Sequence, residues 1–176
     1  MNRFRIEDTM EAVTQWLCPQ QIELDVDVPA RREALRAVSA TLANAKELSA
    51  PAIYRALWRR EMAGTTAVGN GLAIPHARIP GITEPVTAYL RLRVPLNFAA
   101  PDGKRVSELY VILVPAEGAR TEHLQLLAMV AEAFSDRTFH AHLAAASTPR
   151  EIRLVFSRWA EARLPSATAG RCAFPA

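Results

Sequence analysis

The sequence predicts a mixed α/β fold in which a β-sheet is sandwiched by helices. Apolar and polar residues alternate with a period of two through residues 86–94, and a continuous apolar stretch spans residues 109–114. Segments with helical spacing of apolar residues lie on both sides of these two stretches. Strands flanked by amphipathic helices are typical of layered α/β domains, and 176 residues are enough to bury such a core.

Two helices are predicted before the central strands. Apolar residues recur at helical spacing from Pro29 to about Lys46, which favours an amphipathic helix. Ser49 is a suitable N-cap for a second helix, and Pro51 fits its first turn. This second helix places Ile53, Ala56 and Leu57 on one face and brings Arg60 close to its C-terminal end.

The centre of the chain is predicted to form strands. The alternation from Val86 to Val94 indicates a strand with one face buried, ended by Pro95. The apolar run from Leu109 to Val114 suits a central strand covered on both faces. Residues 100–103 have the composition of a turn between them, and residues 64–81 read as a turn, one short strand and a loop.

Three further helices are predicted after the central strand. Thr121 can cap the first helix, and Asp136 starts a shorter one. Thr148 begins a capping box for the last helix. The predicted apolar stripe of the first of these helices consists of Leu124, Leu127, Ala128, Ala131 and Phe134.

The order of the predicted elements favours one domain over residues 1–161, with its core at about 22–160. Residues 162–176 show no periodic arrangement of apolar residues and are predicted to form a disordered tail. The net charge of +3 is mild and its charges are interspersed, so nucleic acid is not an expected partner. Cys18 and Cys172 lack the spacing of a metal site or a disulfide framework. With neither a signal peptide nor a membrane span apparent, the expected location is the cytoplasm and no membrane insertion is expected.

The run from Gly69 to His76 is the most informative segment. A glycine-punctuated apolar strand ends in Pro75, and a proline keeps the preceding backbone extended, so His76 is expected on a stiff support at a strand end. A neutral imidazole can attack phosphorus through one nitrogen while the other nitrogen is held by a hydrogen bond. His76 is therefore a candidate phosphoryl acceptor, with a structural histidine as the alternative.

Residues 60–78 resemble the active-site signature of the type-2 enzyme IIA domains of the bacterial phosphotransferase system, the fructose/mannitol superfamily, and most of all its nitrogen-regulatory branch. Residues 122–127 resemble the second histidine motif of the same family at the expected distance downstream. The similarity runs from about Ile22 to Phe156. It implies the enzyme IIA type-2 fold and a phosphotransferase component that works through a phosphohistidine intermediate, with neither a cofactor nor a metal.

The resemblance also implies roles for individual residues. His76 would accept the phosphoryl group, and His123 would lie beside it and orient it or the phosphoryl group. His123 is predicted in the first turn of a helix, where unpaired backbone N–H groups favour an anion, although a surface contact is the alternative. Arg60, rather than Arg59, matches the motif, and it would hydrogen-bond the phosphoryl oxygens or steady the adjacent loop.

Three residues of the signature are further candidates for contacting phosphate: Thr66, Asn70 and Gly71. A loop threonine more often bonds to neighbouring backbone, and the glycines near it are more often needed for tight turns. Asn70 stands where some sugar-specific relatives carry an acid. The chain departs from the usual family pattern at Ala77 and Arg78, where many relatives have Gly and Lys after the histidine.

The function implied by the resemblance is that of a phosphohistidine carrier and regulator of the nitrogen-type phosphotransferase system. It would accept a phosphoryl group on His76 from the histidine phosphocarrier protein, which enzyme I charges from phosphoenolpyruvate, and bind regulatory protein targets according to its phosphorylation state. Two alternatives stay open. The chain could be a sugar-specific enzyme IIA that delivers phosphoryl groups to a fructose- or mannitol-type membrane permease, or a non-catalytic interaction module of the same fold.

Overall fold

The computed structural model describes residues 17–117 and 120–163, without the side chains of residues 120–123. Within these ranges a six-stranded mixed sheet lies between two helices on one face and three on the other, which confirms the predicted fold class. The strands are β1 (Ile22–Val26), β2 (Ala67–Gly69), β3 (Leu72–Ala73), β4 (His76–Ile79), β5 (Val86–Leu96) and β6 (Val106–Pro115). The helices are α1 (Arg31–Lys46), α2 (Ala50–Met62), α3 (Arg120–Ser135), α4 (Arg137–Ala145) and α5 (Pro149–Glu161).

Strand β6 is at the centre of the sheet. One of its edges pairs antiparallel with β5, which pairs parallel with β1. Its other edge pairs in parallel with β3 and then with β4, so these two short strands lie end to end along it. The register places Leu72 beside Glu108 and His76 beside Ile112. The candidate phosphoryl acceptor is therefore the first residue of a strand held directly against the central one.

The two faces of the sheet carry separate hydrophobic cores. Helices α1 and α2 cover one face and share a core with Leu109, Val111 and Leu113 of β6. Helices α3, α4 and α5 cover the other face and share a core with Tyr110 and Ile112 of the same strand. Successive residues of a strand point to opposite faces, so β6 contributes to both cores. This confirms the prediction of a central strand buried on both sides.

Several predicted helix boundaries are confirmed. The Ser49 hydroxyl accepts a hydrogen bond from the backbone N–H of Ala52 at the start of α2. Asp136 caps α4, and Thr148 forms the capping box of α5 with Glu151. Each of these side chains satisfies backbone N–H groups that a helix leaves unpaired at its first turn.

Strand β5 differs from its prediction in two ways. Thr87 and Tyr89 are fully buried, so the first half of the strand is covered on both faces, because helices lie on both sides of the sheet. Pro95 lies within the strand instead of ending it. The pairing with β6 shifts register between Arg91 and Leu96, and such an irregularity accommodates a residue that has no N–H to donate.

The strands around the glycine-rich segment are also more numerous than predicted. Residues 64–81 contain three short strands where one is expected from the sequence. Strand β1 is absent from the prediction, although Ile22, Leu24 and Val26 alternate there with two acidic residues. A short alternation of this kind is a weak signal by itself, and its pairing with β5 is what makes it a strand.

The predicted apolar face of α3 is confirmed for Phe134, Leu127 and Ala131, which pack in or against the core, and is wrong for Leu124 and Ala128, which are exposed. Leu124 is 63% exposed, whereas Leu126, Met129 and Val130 are buried against the sheet. The apolar residues of this helix lie in two stripes that are separated by about a third of a turn around the helix axis. The periodicity of the sequence alone does not decide which stripe faces the core. The helix begins at Arg120, so Thr121 lies inside its first turn and is not its N-cap.

Helix α4 is linked to the central strand through His140. Its Nε2 lies 3.1 Å from Oε2 of Glu108, and the other carboxylate oxygen of Glu108 accepts a 2.6 Å hydrogen bond from the Tyr89 hydroxyl. The predicted tail lies outside the described residues from 164 onward, as does Cys172. No helix in the described part of the chain is long and apolar enough to cross a membrane.

Candidate functional site

The hydrogen bonds of His76 define which of its ring nitrogens can react. The half-buried ring places Nδ1 2.8 Å from the backbone oxygen of Ile74 and Nε2 3.0 Å from Nε of Arg60. The guanidinium group can only donate, so Nε2 is the acceptor and Nδ1–H donates to Ile74. The lone pair of the neutral imidazole therefore lies on Nε2, which is the nitrogen available for nucleophilic attack.

Arg60 reaches His76 from the last turn of α2. Its Nη1 also donates to the backbone oxygen of Gly64 at 2.9 Å, so the guanidinium group bridges the imidazole and the loop that follows the helix. Arg59, its neighbour in sequence, is exposed and lines a different surface groove. The structure thus brings Arg60, and not Arg59, to the candidate acceptor.

A chain of hydrogen bonds connects the buried residue Glu61 to the imidazole. Oε2 of Glu61 accepts hydrogen bonds from the backbone N–H of Thr66 at 2.9 Å and from its hydroxyl at 2.6 Å. The Thr66 carbonyl accepts from the N–H of Ile74 at 2.9 Å, and the Ile74 carbonyl accepts from His76. Glu61 therefore fixes the backbone that sets the orientation of the imidazole ring.

Glu61 is not among the site residues predicted from the sequence, although the sequence carries a signal for it. Glu61 follows Ile53 and Leu57 at intervals of four residues, so it falls on the apolar face of α2. The carboxylate is only 3% exposed, and Oε1 lies 3.5 Å from Nη1 of Arg31. A charged residue at a buried helix position needs partners, and this requirement points to a structural or functional role.

The three candidate phosphate contacts lie in different places. The Thr66 hydroxyl is buried and donates to Glu61, so it supports the loop instead of facing the imidazole. Asn70 and Gly71 form the turn between β2 and β3, where the Asn70 N–H donates to Asp102 at 2.8 Å. Gly71 accepts from Ser107, five residues along β6 from the partner of His76, a backbone separation of about 16 Å. This arrangement gives no support to a phosphate contact by either turn residue.

Gly71 is needed for this turn. Its φ of +79° is in the region that favours glycine, and an added Cβ would lie 3.0 Å from Oγ of Ser107. The structure places the backbone of His123 in the first turn of α3, as predicted, while its side chain lies outside the described residues. Within the described residues, no group of three or more His, Cys, Asp or Glu side chains is arranged to hold a metal ion.

The surroundings of His76 favour its neutral form. Burial of the ring lowers the pKa of His76, and the nearby positive charge of Arg60 lowers it further, while the hydrogen bond to Ile74 acts in the opposite direction. A pKa below the ordinary value leaves the lone pair on Nε2 available at neutral pH. The site thus combines an uncharged imidazole with a positively charged group directed at it.

We expect His76 to titrate below about 6.5, the ordinary value for histidine, and Arg60→Gln to raise its pKa. Because the folded pKa is the lower one, the unfolded chain binds the proton first as the pH falls. The contribution of His76 to stability is thus complete above the unfolded pKa and is lost as the pH falls through the folded pKa. The pKa of His76 is measured directly by following its ring resonances by NMR over a pH titration. A His76 pKa above the ordinary value would contradict the described site.

Comparisons with known proteins agree with this geometry. Residues 15–159 match the model of the family described as "Phosphoenolpyruvate-dependent sugar phosphotransferase system, EIIA 2". The chain is 33% identical over 157 residues to a nitrogen regulatory protein of Bradyrhizobium diazoefficiens, covering 89% of this chain and 98% of that protein. It is 38% identical over 123 residues to a nitrogen regulatory protein of Pseudomonas aeruginosa, covering 69% and 79% of the two chains.

A solved structure shows the same similarity in three dimensions. The crystal structure of the nitrogen regulatory protein IIA-Ntr from Neisseria meningitidis superposes with a TM-score of 0.76 at 34% sequence identity. The match covers 82% of this chain and 98% of the Neisseria chain. The described fold is therefore similar to that of a nitrogen regulatory protein over nearly its whole length.

Proposed function

The chain belongs to the phosphoenolpyruvate-dependent sugar phosphotransferase system EIIA 2 family, and on that basis we propose that it is a phosphohistidine carrier and regulator of the nitrogen-type system. The observation that carries this proposal is the neutral imidazole of His76, whose Nδ1–H is held by Ile74 while Nε2 meets the Arg60 guanidinium. An acceptor of phosphoryl groups needs such a nucleophilic nitrogen with a cation beside it.

The proposed reaction transfers a phosphoryl group between two imidazoles. Nε2 of His76 attacks phosphorus on the phosphorylated histidine phosphocarrier protein, which enzyme I has charged from phosphoenolpyruvate. A P–N bond forms to Nε2 while the P–N bond to the donor imidazole breaks, and the donor nitrogen keeps the electron pair. The Ile74 carbonyl, which accepts the Nδ1–H bond, stabilises the positive charge that develops on the ring.

We propose that the Arg60 guanidinium donates hydrogen bonds to the phosphoryl group during this transfer. Its Nε–H donates to the lone pair of Nε2 before the reaction, so this hydrogen bond must break as the P–N bond forms, and the N–H can then turn to a phosphoryl oxygen. Two of the five N–H donors of the guanidinium are used in the structure, at His76 and Gly64, which leaves further donors for phosphoryl oxygens. Arg60 therefore offers charge stabilisation without leaving its place on α2.

The path of α3 supports a position for His123 beside the acceptor. Phe134, near the end of the helix, packs against Tyr110 in the middle of β6, with ring centroids 6.5 Å apart. Since α3 begins five residues after the end of β6, this contact favours a helix that runs back along the strand. His123, eleven residues and about 16 Å before Phe134 on the helix, would then be near the carboxyl end of β6. His76 shares the sheet face of its register partner Ile112, which belongs to the core that α3, α4 and α5 cover.

Phosphorylation would change what this surface can bind. A phosphoryl group adds about two negative charges and three strong acceptor oxygens. At His76 this charge would appear on a half-buried, uncharged ring at the edge of α2. We propose that cytoplasmic regulatory proteins distinguish the two forms of the chain by this change of charge.

The intact mass of the protein tests the proposal after incubation with phosphoenolpyruvate, enzyme I and the histidine phosphocarrier protein. We expect one acid-labile phosphoryl adduct on the native chain and none on His76→Ala. His142→Ala, which removes an exposed histidine of α4, is the matched control and should keep the adduct.

Other outcomes would change the interpretation. The absence of an adduct with active donors would leave a non-catalytic interaction module. An adduct on a correctly folded His76→Ala variant would show that another residue is the acceptor. Onward transfer to a fructose- or mannitol-type permease would favour the sugar-specific alternative over the regulator.

A further inference from the structure

A groove of about 400 Å³ lies between α2 and the outer side of β4, next to the candidate phosphoryl site but separate from it. Its floor is apolar and is built from the buried side chains of Ile53, Ala56 and Ile79. Leu48 and Ala52 form part of its wall and are half-buried. The groove is partly open to solvent, so an occupant would remain partly in contact with it.

Three arginines line this groove: Arg55, Arg59 and Arg78. Arg55 and Arg59 are one helical turn apart on α2, and like charges at this spacing repel each other. Within the described residues neither of their side chains forms an ion pair or a hydrogen bond. Among the described residues that line the groove there is no Asp or Glu. The groove therefore carries a concentrated positive charge above an apolar floor.

We propose that this groove docks an acidic segment of a partner protein through an apolar side chain flanked by carboxylates. The apolar floor accommodates the anchor side chain, and the exposed Arg55 and Arg59 at the rim pair with the flanking acids. A small molecule fits this shape less well, because ligand pockets enclose about 70% or more of their ligand and this groove is open.

The position of the groove connects it to the reactive histidine. Arg59 directly precedes Arg60, and Arg78 is two residues beyond His76 on β4, a backbone distance of about 7 Å. Salt screens charges at such distances only in part, since the Debye length is about 8 Å at physiological ionic strength. The docking surface does not require phosphoryl chemistry at His76, however, and it is tested in the absence of any phosphoryl donor.

The test uses a fluorescein-labelled peptide of repeated Leu-Glu-Glu units and a matched peptide of repeated Leu-Gln-Gln units. Fluorescence polarisation should show that the acidic peptide binds the native chain and that the amide peptide does not. The double variant Arg55→Gln/Arg59→Gln should weaken binding about tenfold, since two charge-assisted contacts are lost. Arg150→Gln/Arg153→Gln makes the same change of net charge on exposed positions of α5 and should leave binding unchanged.

A second variant tests the groove without removing an arginine. Ala52→Glu places a carboxylate in the wall of the groove, three residues after the N-cap Ser49. This position is in the first turn of α2, where a carboxylate interacts favourably with the helix dipole, so the fold is expected to be retained. The new carboxylate competes with the peptide for the arginines, and binding should fall about tenfold as in the double arginine variant.

Three results would overturn the proposal. The first is no binding of the acidic peptide to the native chain, and the second is an equal loss of binding in the α5 control, which would indicate attraction by net charge alone. The third is arginine-dependent binding of inorganic tripolyphosphate without binding of the peptide, which would identify a site for small anions. None of these results depends on whether His76 accepts a phosphoryl group, so the docking surface and the proposed function can fail separately.

Discussion

Replacing Arg60 by methionine is expected to slow phosphoryl acceptance about 100-fold or more, which is the typical cost of removing one donor that stabilises a transition state. Methionine keeps much of the length and apolar contact of the arginine stem but cannot donate to Nε2 of His76 or to phosphoryl oxygens. The bond to the Gly64 carbonyl is also lost, so the loop after α2 becomes less constrained.

The measurement for Arg60 is the rate of phosphoryl transfer from the phosphorylated histidine phosphocarrier protein under single-turnover conditions. Arg153→Met is the matched control, because Arg153 is exposed on α5 and lies outside both surfaces described above. If a folded Arg60→Met variant retained the native rate, Arg60 would not take part in the reaction and would only support the loop.

Replacing Glu61 by alanine is expected to lower the free energy of unfolding by about 3 kcal/mol, because it leaves two buried donors of Thr66 without an acceptor. It also leaves Arg31 without its carboxylate neighbour. Glu61→Gln retains one oxygen that can accept from Thr66, so it should cost about 1 kcal/mol. Urea unfolding of the two variants and the native chain measures both differences.

The chain of hydrogen bonds from Glu61 to His76 predicts a second effect of these substitutions. If Glu61 fixes Thr66 and thereby Ile74, the folded Glu61→Gln variant should transfer phosphoryl groups more slowly and show a changed His76 titration. Thr66→Val removes the hydroxyl but keeps the backbone donor, and it should show a weaker effect on both. Loss of stability with an unchanged rate and titration would limit Glu61 to a structural role.

Local signals in the sequence were sufficient for several elements of the fold. Ser49 and Thr148 predict the starts of α2 and α5, because capping depends on residues within one turn of each other. The face of α3 was not predictable in the same way. Its helix carries apolar residues on two stripes, and only packing against β6 decides that Leu126, and not Leu124, is buried.

The candidate site shows the same division between local and distant information. His76 stands out because proline precedes it and glycines punctuate the strand before it. The tautomer of its ring could not be predicted, since it depends on Arg60, which approaches from sixteen residues earlier in the chain. Asn70 and Gly71 look like part of a phosphate-binding loop, but the register along β6 carries them away from His76.

The end-to-end arrangement of β3 and β4 has a consequence for how the chain could signal. The short break between them is held on both sides, because Ile74 donates to Thr66 and the Pro75 carbonyl accepts from Ile112 of the central strand. A side chain that directly follows such a break, as His76 does, has little freedom to move away or to unfold locally. A partner would therefore recognise phosphorylation through a change of surface potential on a nearly rigid backbone. The rate of recognition would be limited by the encounter of the two proteins and not by a conformational transition of this chain.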